Sequence, residues 1–389
     1  MTALLHDPDL APILAALPRA RMVGGCVRDM LAGREVADID LATPDPPEAV
    51  LAALSTAGLR TIPTGLAHGT VTAISGGRPF EITTLRRDEY TDGRHARVAW
   101  TDDFAQDAAR RDFTINAMSL DQTGTLHDPF GGAEDLQAGR VRFVGEAAAR
   151  IAEDYLRVLR FFRFFARYGR PPADDAAVEA IRAAAALPES GLRRLSAERV
   201  WSELKRILAI PDPRDAVALM AALGVLAAVL PEAGDTAALT GLVARGAPAE
   251  PLLRLAALVG RAPQGVADRL KLSGAERQLL QLLCTGTVPK PEDDDAALRR
   301  LLAEEPAELL ISRSWLAADA DALAGTRQRL AAMQRPVFPL EGRDGLALGA
   351  EPGPELGQAL RRVRGWWLQG GCMATAGECR KRLELELSN

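Results

Sequence analysis

Asp38 and Asp40 flank Ile39 in the run Asp-Ile-Asp-Leu-Ala-Thr. In an extended chain, side chains two apart share a face, so both carboxylates point the same way and repel each other unless cations lie between them. Hard oxygen donors of this kind suit Mg²⁺, which commonly takes one or two carboxylates together with substrate phosphates. Alone, the pattern also describes two solvent-facing acids at a strand end. Its surroundings add to it. Upstream, Gly24-Gly25-Cys26-Val27-Arg28-Asp29 combines glycines that let backbone approach a phosphate, a helix start with free N–H groups and a charge-assisted donor in Arg28. A plain tight turn shares the first of these features. Downstream, Glu81 opens Glu-Ile-Thr-Thr-Leu-Arg, either as a third acid facing the pair or as an exposed strand residue.

A second concentration of charge is basic. Between Arg140 and Arg170 there are eight arginines against Glu146, Glu153 and Asp154, a local net of +5 in a chain whose 47 Lys plus Arg and 52 Asp plus Glu leave it at −5. Such focusing suits an anionic ligand, although a solvated helix face would show it too. The acidic total excludes a wholly basic nucleic-acid coat protein.

Elements of two kinds must hold these groups. The first 140 residues change character every few positions, whereas the remainder reads as helix after helix punctuated by Gly and Pro. Strands are expected at 21–23 and 37–41, with a helix beginning near Val27 and another over 47–54. Two more strands, 70–74 and 80–85, are joined across Ser75-Gly76-Gly77 as a hairpin. From 147 to 168 the chain lacks Gly and Pro and carries Ile151, Tyr155, Leu156, Leu159, Phe162 and Phe165 at helical spacing, which predicts one continuous helix ending at Gly169. Later breaks fall at Pro211-Asp212-Pro213, around 246–248 and at 289–295. The class expected is α+β, a mixed sheet with helices followed by an all-helical remainder.

With 389 residues, 48% of them hydrophobic, the chain has ample material for packed cores and two to four structural units. The most apolar stretch, 216–230, falls short of the roughly 20 residues a membrane span needs and is expected as a buried helix. Residues 1–18 contain Asp7 and Asp9 but no Lys or Arg, the opposite of a secretory signal. Cys26, Cys284, Cys372 and Cys379 form no paired spacing, so a reducing cytoplasm and no structural metal are expected. Cys26 is expected to pack, and His68 and His95 to be loop polar groups.

Taken in order, Gly-Gly-x-Val-Arg-Asp, Asp-Ile-Asp-Leu-Ala-Thr, Arg110-Arg111-Asp112-Phe113-Thr114-Ile115-Asn116-Ala117-Met118 and Asp128-Pro129-Phe130-Gly131-Gly132 resemble the motifs of class II tRNA nucleotidyltransferases, the CCA-adding enzymes. These belong to the DNA polymerase β-type nucleotidyltransferase superfamily and have bacterial poly(A) polymerases as close relatives. The resemblance implies a catalytic head in which Asp38 and Asp40 hold two Mg²⁺ ions and Glu81 is the third acid. It implies nucleotide contacts from Gly24, Gly25, Arg28, Arg111, Asp112 and Asn116, with Arg111 on the phosphates. It is dense from Met22 to Arg163 and sparse beyond Leu208.

The run Glu153-Asp154-Tyr155-Leu156-Arg157-Val158-Leu159-Arg160-Phe161-Phe162-Arg163 resembles the family's nucleotide-selecting element. Residues three apart are neighbours on a helix, so Asp154 and Arg157 would present an acceptor beside donors. Cytosine and adenine each offer an exocyclic amine next to an unprotonated ring nitrogen. Uracil and guanine offer a carbonyl and an N–H there, and each mismatched pair costs about 1–3 kcal/mol. Side chains can thus act as the template. An ordinary surface ion pair is the plainer alternative. Arg160 and Arg163, further along, would brace the pocket or meet phosphate.

Between the hairpin and the Arg-Arg-Asp motif, residues 86–98 are polar and turn-rich, which predicts a mobile loop; the resemblance implies a role in switching from C to A addition. The run Ser196-Ala197-Glu198-Arg199-Val200-Trp201-Ser202-Glu203-Leu204 is similar to the family's neck element, and Gly342-Arg343-Asp344-Gly345 with Pro352-Gly353-Pro354-Glu355-Leu356-Gly357 to its bacterial tail segment. The expected division is a head at 1–140, a neck with the selecting helix at 141–212, a body at 213–290 and a tail at 291–389 contacting tRNA. No His follows His127, so the His-Asp phosphohydrolase domain of some relatives is not expected in that form within these residues. The implied activity is addition of CMP, CMP and AMP from CTP and ATP to the tRNA 3′ end, with no membrane or protein partner. A poly(A) polymerase, an A-adding enzyme and a non-catalytic RNA-binding protein stand as alternatives.

Overall fold

The computed structural model describes residues 5–66, 69–91, 96–260 and 263–388. The chain forms two compact units, Met1–Pro231 and Glu232–Asn389. His68 and His95 lie outside the described residues.

The first unit is built on a seven-stranded sheet ordered β3-β4-β5-β2-β1-β8-β9. Its strands are β1 (Arg21–Val23), β2 (Asp40–Thr43), β3 (Arg60–Gly65), β4 (Thr70–Ser75), β5 (Arg78–Thr84), β8 (Ser119–Leu120) and β9 (Leu126–His127). β2 and β5 run parallel, with Asp40 opposite Glu81, while β4 and β5 are antiparallel across the two-residue turn Gly76-Gly77. Both turn glycines have positive φ, 56° and 79°, the backbone hand that a two-residue hairpin requires. The mixed sheet is the α+β arrangement expected.

Strand alternation sorts the side chains. Met22, Ile39, Leu41, Val71, Phe80 and Ile82 enter one core with Ile13, Val50 and Leu54 from the helices Ala11–Ala16 and Pro47–Thr56. Val23, Ala42 and Leu85 pack on the other face. Asp38, Asp40 and Glu81 alternate with core residues and therefore fall on the face away from those helices.

Several local expectations need correction. β2 begins at Asp40, not at residue 37, because β5 reaches it only from Glu81 onward and β1 only at Leu41 and Ala42; Asp38 precedes the strand. β3 was not anticipated. Residues 86–98 include a two-stranded ribbon, β6 (Arg86–Thr91) with β7 (Ala96–Trp100), whose ladder is made of backbone bonds that polar composition does not prevent. The expected 147–168 helix is two, Ala147–Glu153 and Leu156–Tyr168. Asp154 between them is extended, and its Oδ1 accepts the Leu156 N–H at 3.0 Å, the capping role Asp prefers over a helix interior.

Leu156–Tyr168 is strongly amphipathic. Val158, Leu159, Phe161, Phe162, Phe164 and Phe165 are buried, and Phe113 lies 5.3 Å from Phe164 and 4.9 Å from Phe143, ring centre to ring centre. The helices Ala197–Leu208 and Arg214–Ala222 pack along it. The apolar 216–230 stretch is split by left-handed Gly224 into Arg214–Ala222 and Val225–Val229. The second unit is helical, from Ala237–Ala244 to Ala376–Leu387, with cores around Leu298, Leu302, Leu310 and Leu330 and around Val363, Trp367 and Leu383. Gly345 sits where a Cβ would lie 2.2 Å from Leu356, so close packing accounts for that glycine of the tail segment. Among the described residues no helix is long and apolar enough to cross a membrane.

Candidate active site

A cavity of about 640 Å³ opens beside β1, lined by Gly24, Gly25, Arg28, Arg86, Arg110, Arg111, Asp112, Asn116, Asp154, Leu156, Arg157, Arg160, Phe164 and Arg199. Every nucleotide contact expected from the sequence lines it except Arg163. That guanidinium donates to Glu203 at 2.6 Å and lies over the Phe164 ring, because Glu203 is a buried acid on the packed Ala197–Leu208 helix. Arg163 braces the helix rather than meeting the cavity.

Gly24 joins β1 to the helix Gly25–Leu31 with φ +69°. That backbone hand calls for glycine, and a Cβ there would also lie 2.6 Å from Nη1 of Arg111. Arg111 is held by the Asn116 carbonyl at 3.1 Å and by Asp107 at 3.2 Å. Arg28 donates to Asn116 Oδ1 at 2.5 Å and to both oxygens of Asp29 at 3.0 and 3.1 Å.

Asp112 is the bracket of the floor. Its Oδ1 accepts the Phe113 N–H and Asn116 Nδ2, each at 2.9 Å, and its Oδ2 accepts Arg160 Nε at 2.7 Å. Burial works against ionisation of this carboxyl, but the Arg160 charge and these hydrogen bonds hold its pKa below the usual carboxylate value. The opposite wall comes from the helix break. Asp154 Oδ2 accepts Arg199 Nη2 at 2.6 Å, while Arg157 Nη1 donates to Glu153 and to the Arg150 carbonyl. Asp154 and Arg157 thus reach one cavity not as neighbours within a helix but as a cap and a first-turn residue.

Sequence reasoning gave Arg86, Arg110 and Arg199 no site role. Arg199 carried a usable signal. It stands in the first turn of Ala197–Leu208, next to the positive end of the helix dipole, where a cation needs a carboxylate partner.

Beside the cavity, Asp38, Asp40 and Glu81 are exposed on the sheet face. Protein packed around the Asp40 carboxyl raises its pKa; repulsion from Glu81 and Asp38 adds to this and Arg111 opposes it. Arg111 therefore belongs to both the acid face and the cavity. Among the described residues no cluster of three or more ligating side chains is close enough to form a finished metal site. Cys26 is buried, with its thiol pushed up to about 11 chiefly by burial, and it packs as expected.

A family model described as Poly A polymerase head domain matches residues 20–142, and one described as Probable RNA and SrmB-binding site of polymerase A matches 174–235. The first covers the sheet with its acids and defines the class, a nucleotidyltransferase. The chain is 37% identical over 371 residues to CCA tRNA nucleotidyltransferase 1, mitochondrial, of Danio rerio, covering 89% of this chain and 83% of that protein. It is 41% identical over 208 residues to the CCA-adding enzyme of Geobacillus thermodenitrificans, covering 53% of this chain and 49% of that one. The fold matches the crystal structure of the Bacillus stearothermophilus CCA-adding enzyme in complex with CTP at a TM-score of 0.71 and 25% identity, over 97% of both chains. The chain belongs to the CCA tRNA nucleotidyltransferase family.

Proposed function

We propose that this protein adds CMP, CMP and AMP in turn, from CTP and ATP, to the 3′ end of tRNA and releases pyrophosphate. The observation that carries this reading is the convergence of Arg28, Arg111, Asp154 and Arg157 on one cavity, with the Arg111 charge favouring the Asp40 anion of the sheet. Relatives named CCA tRNA nucleotidyltransferase and CCA-adding enzyme support it.

Asp38, Asp40 and Glu81 suit Mg²⁺: they are hard oxygen donors, and the anion of Asp40 is disfavoured by its two acidic neighbours, an imbalance that a divalent cation relieves. When bound there, the ions lower the pKa of the RNA 3′-hydroxyl and neutralise charge on the departing pyrophosphate. The chain's own residues do the positioning. Arg111, fixed by Asp107 and the Asn116 carbonyl, meets the triphosphate without reorganising. Arg28, braced by Asn116 and Asp29, offers a second charge. Asp154 accepts from the exocyclic amine of C or A, since a carboxylate has about four acceptor sites and only two are used by Arg199 and the Leu156 N–H. Arg157 donates to the ring nitrogen through the N–H groups that Glu153 and Arg150 leave unused.

The head occupies 1–140, the neck 141–212, the body 213–290 and the tail 291–389. The β6–β7 ribbon governs the change from C to A addition, and deleting residues 89–97 is expected to spare C addition and end A addition; a complete CCA end from that variant would refute the role. The four cysteines are free thiols, and we place the protein in the cytoplasm, where thiols stay reduced; cell fractionation tests this. The decisive experiment for the activity is incubation with tRNA ending at the discriminator base and each labelled triphosphate. Ordered incorporation of two C and one A is expected. A long run of A instead would make the protein a poly(A) polymerase.

A further inference from the structure

The arginine excess between Arg140 and Arg170 is only partly spent on the active site. Arg140 and Arg142 pair with Asp135, Arg150 and Arg157 with Glu153, Arg160 with Asp112 and Arg163 with Glu203. Arg167 and Arg170 pair with no described carboxylate. Both line a separate cavity of about 750 Å³, and so does Arg34 from the segment after the Gly25–Leu31 helix. Arg34 and Arg170 donate only to backbone carbonyls, those of Arg167 at 2.8 Å and Gln137 at 3.2 Å. All three arginines are exposed, and no acid lines the cavity. Asp29, which accepts the Tyr168 hydroxyl, is already engaged by Arg28.

Three guanidiniums without acidic partners around one concavity focus a positive potential there, and guanidinium is the cation best suited to phosphate oxygens. Tyr168 forms the cavity's aromatic edge. Arg34 and Arg167 sit against its ring at 5.1 and 5.5 Å, and Arg28 lies 4.6 Å from the same ring. Arg28 in turn lines the active-site cavity. Tyr168 therefore links a guanidinium of the active-site cavity to a second, unpaired basic concavity.

We infer that Arg34, Arg167 and Arg170 form a subsite for backbone phosphates of the RNA substrate, outside the nucleotide cavity. This rests on the proposed activity for the identity of the RNA, and the phosphate chemistry is shared with free phosphate and pyrophosphate. The test is equilibrium binding of tRNA ending at the discriminator base, over a range of salt and without nucleotide, to three forms of the full chain. These are wild type, Arg34→Gln/Arg167→Gln/Arg170→Gln, and the corresponding triple Lys variant. Each phosphate contact adds about 0.9 to the slope of log K against log salt. The Gln variant is expected to bind tRNA about tenfold or more weakly at low salt, with a slope shallower by about 1 to 3. The Lys variant keeps most of the slope. The KM for CTP and the kcat at saturating tRNA stay at wild-type values in the Gln variant, whose thermal midpoint establishes that it folds.

Unchanged tRNA affinity and slope in a folded Gln variant would overturn the inference, and so would a Lys variant as weak as the Gln one, since charge would then not be the cause. Phosphate and pyrophosphate titrations separate the sources. If either binds wild type at micromolar concentration and not the Gln variant, the cavity takes a free anion and the assignment to RNA fails. Because the measurement needs no turnover, it stays readable should the activity differ. Ordered CCA addition with an unchanged salt slope would remove this subsite alone.

Discussion

The acid face of the sheet and the arginine cavity beside it follow opposite electrostatic plans. In the cavity nearly every charge is answered within the protein: Arg110 and Arg111 by Asp107, Arg157 by Glu153, Arg160 by Asp112 and Arg199 by Asp154. On the sheet, Asp38, Asp40 and Glu81 accept no arginine among the described residues, and burial first, then repulsion from Glu81 and Asp38, raises the pKa of Asp40. The difference separates two uses of charge. Paired groups hold helices and loops in place and meet a ligand through the donor and acceptor sites their partners leave unused. Unpaired acids hold nothing in place and are kept for cations that arrive with the substrate.

The strongest way to break this contrast is to remove an unpaired acid. Asp40→Ala is expected to cut nucleotide transfer by about a thousandfold or more and not to lower stability, because burial and the two neighbouring acids already disfavour the Asp40 anion. Single-turnover incorporation and a denaturant melt measure the two. A large stability loss would mean that the acid is structural after all.

Removing a paired acid should do the reverse. Asp112→Asn leaves Arg160 without its buried partner, and breaking such a pair costs about 3–5 kcal/mol. The folded-state pKa of Asp112 lies below its ordinary 3.8. Its contribution to stability is therefore complete above that value and is lost as pH falls through the lower folded pKa. Unfolding midpoints should differ most at neutral pH and converge in acid below about pH 3.8. A gap that widens on acidification would reverse the sign and sink the account.

Asp154 and Arg157 lie between the two plans, paired on one side and open on the other. Asp154→Asn turns part of an obligate acceptor into a donor, and Arg157→Ala removes donors. At about 1–3 kcal/mol for each inverted bond, preference for C and A over U and G should drop roughly tenfold to a hundredfold. Incorporation with all four triphosphates checks this, and unchanged selectivity in both variants would show that the helix is not the template.

These groups were legible in the sequence to different degrees, for physical reasons. The alternation of Ile39 and Leu41 with Asp38 and Asp40 identifies the sheet face of the acids even though the strand itself starts only at Asp40. The glycine pair at 76 and 77 marks its hairpin because few other residues tolerate that backbone hand. The periodicity of Leu156–Tyr168 is plain, yet the break at Asp154 is not, since a capping Asp and a helical Asp look alike until the chain direction is known. β3 carries no strong alternation, and the β6–β7 ladder is a backbone property. Arg199 meets Asp154 across 45 residues, a separation that local spacing cannot bridge.

Arg163 supplies the smallest effect and the sharpest control. It shares a helix face with Arg157 and Arg160, so a reading based on spacing alone places all three at the nucleotide. Its guanidinium instead satisfies Glu203, a side chain only 5% exposed. In Arg163→Gln that acid keeps Arg206 at 3.7 Å as a weaker partner, so the loss should be about 1–3 kcal/mol of stability, short of a fully stranded buried charge. Discrimination among the four triphosphates should move by less than about twofold, because no base-reading bond is altered. A selectivity change approaching that of Arg157→Ala would bring Arg163 back to the nucleotide and erase the distinction between arginines that brace the helix and those that read the base.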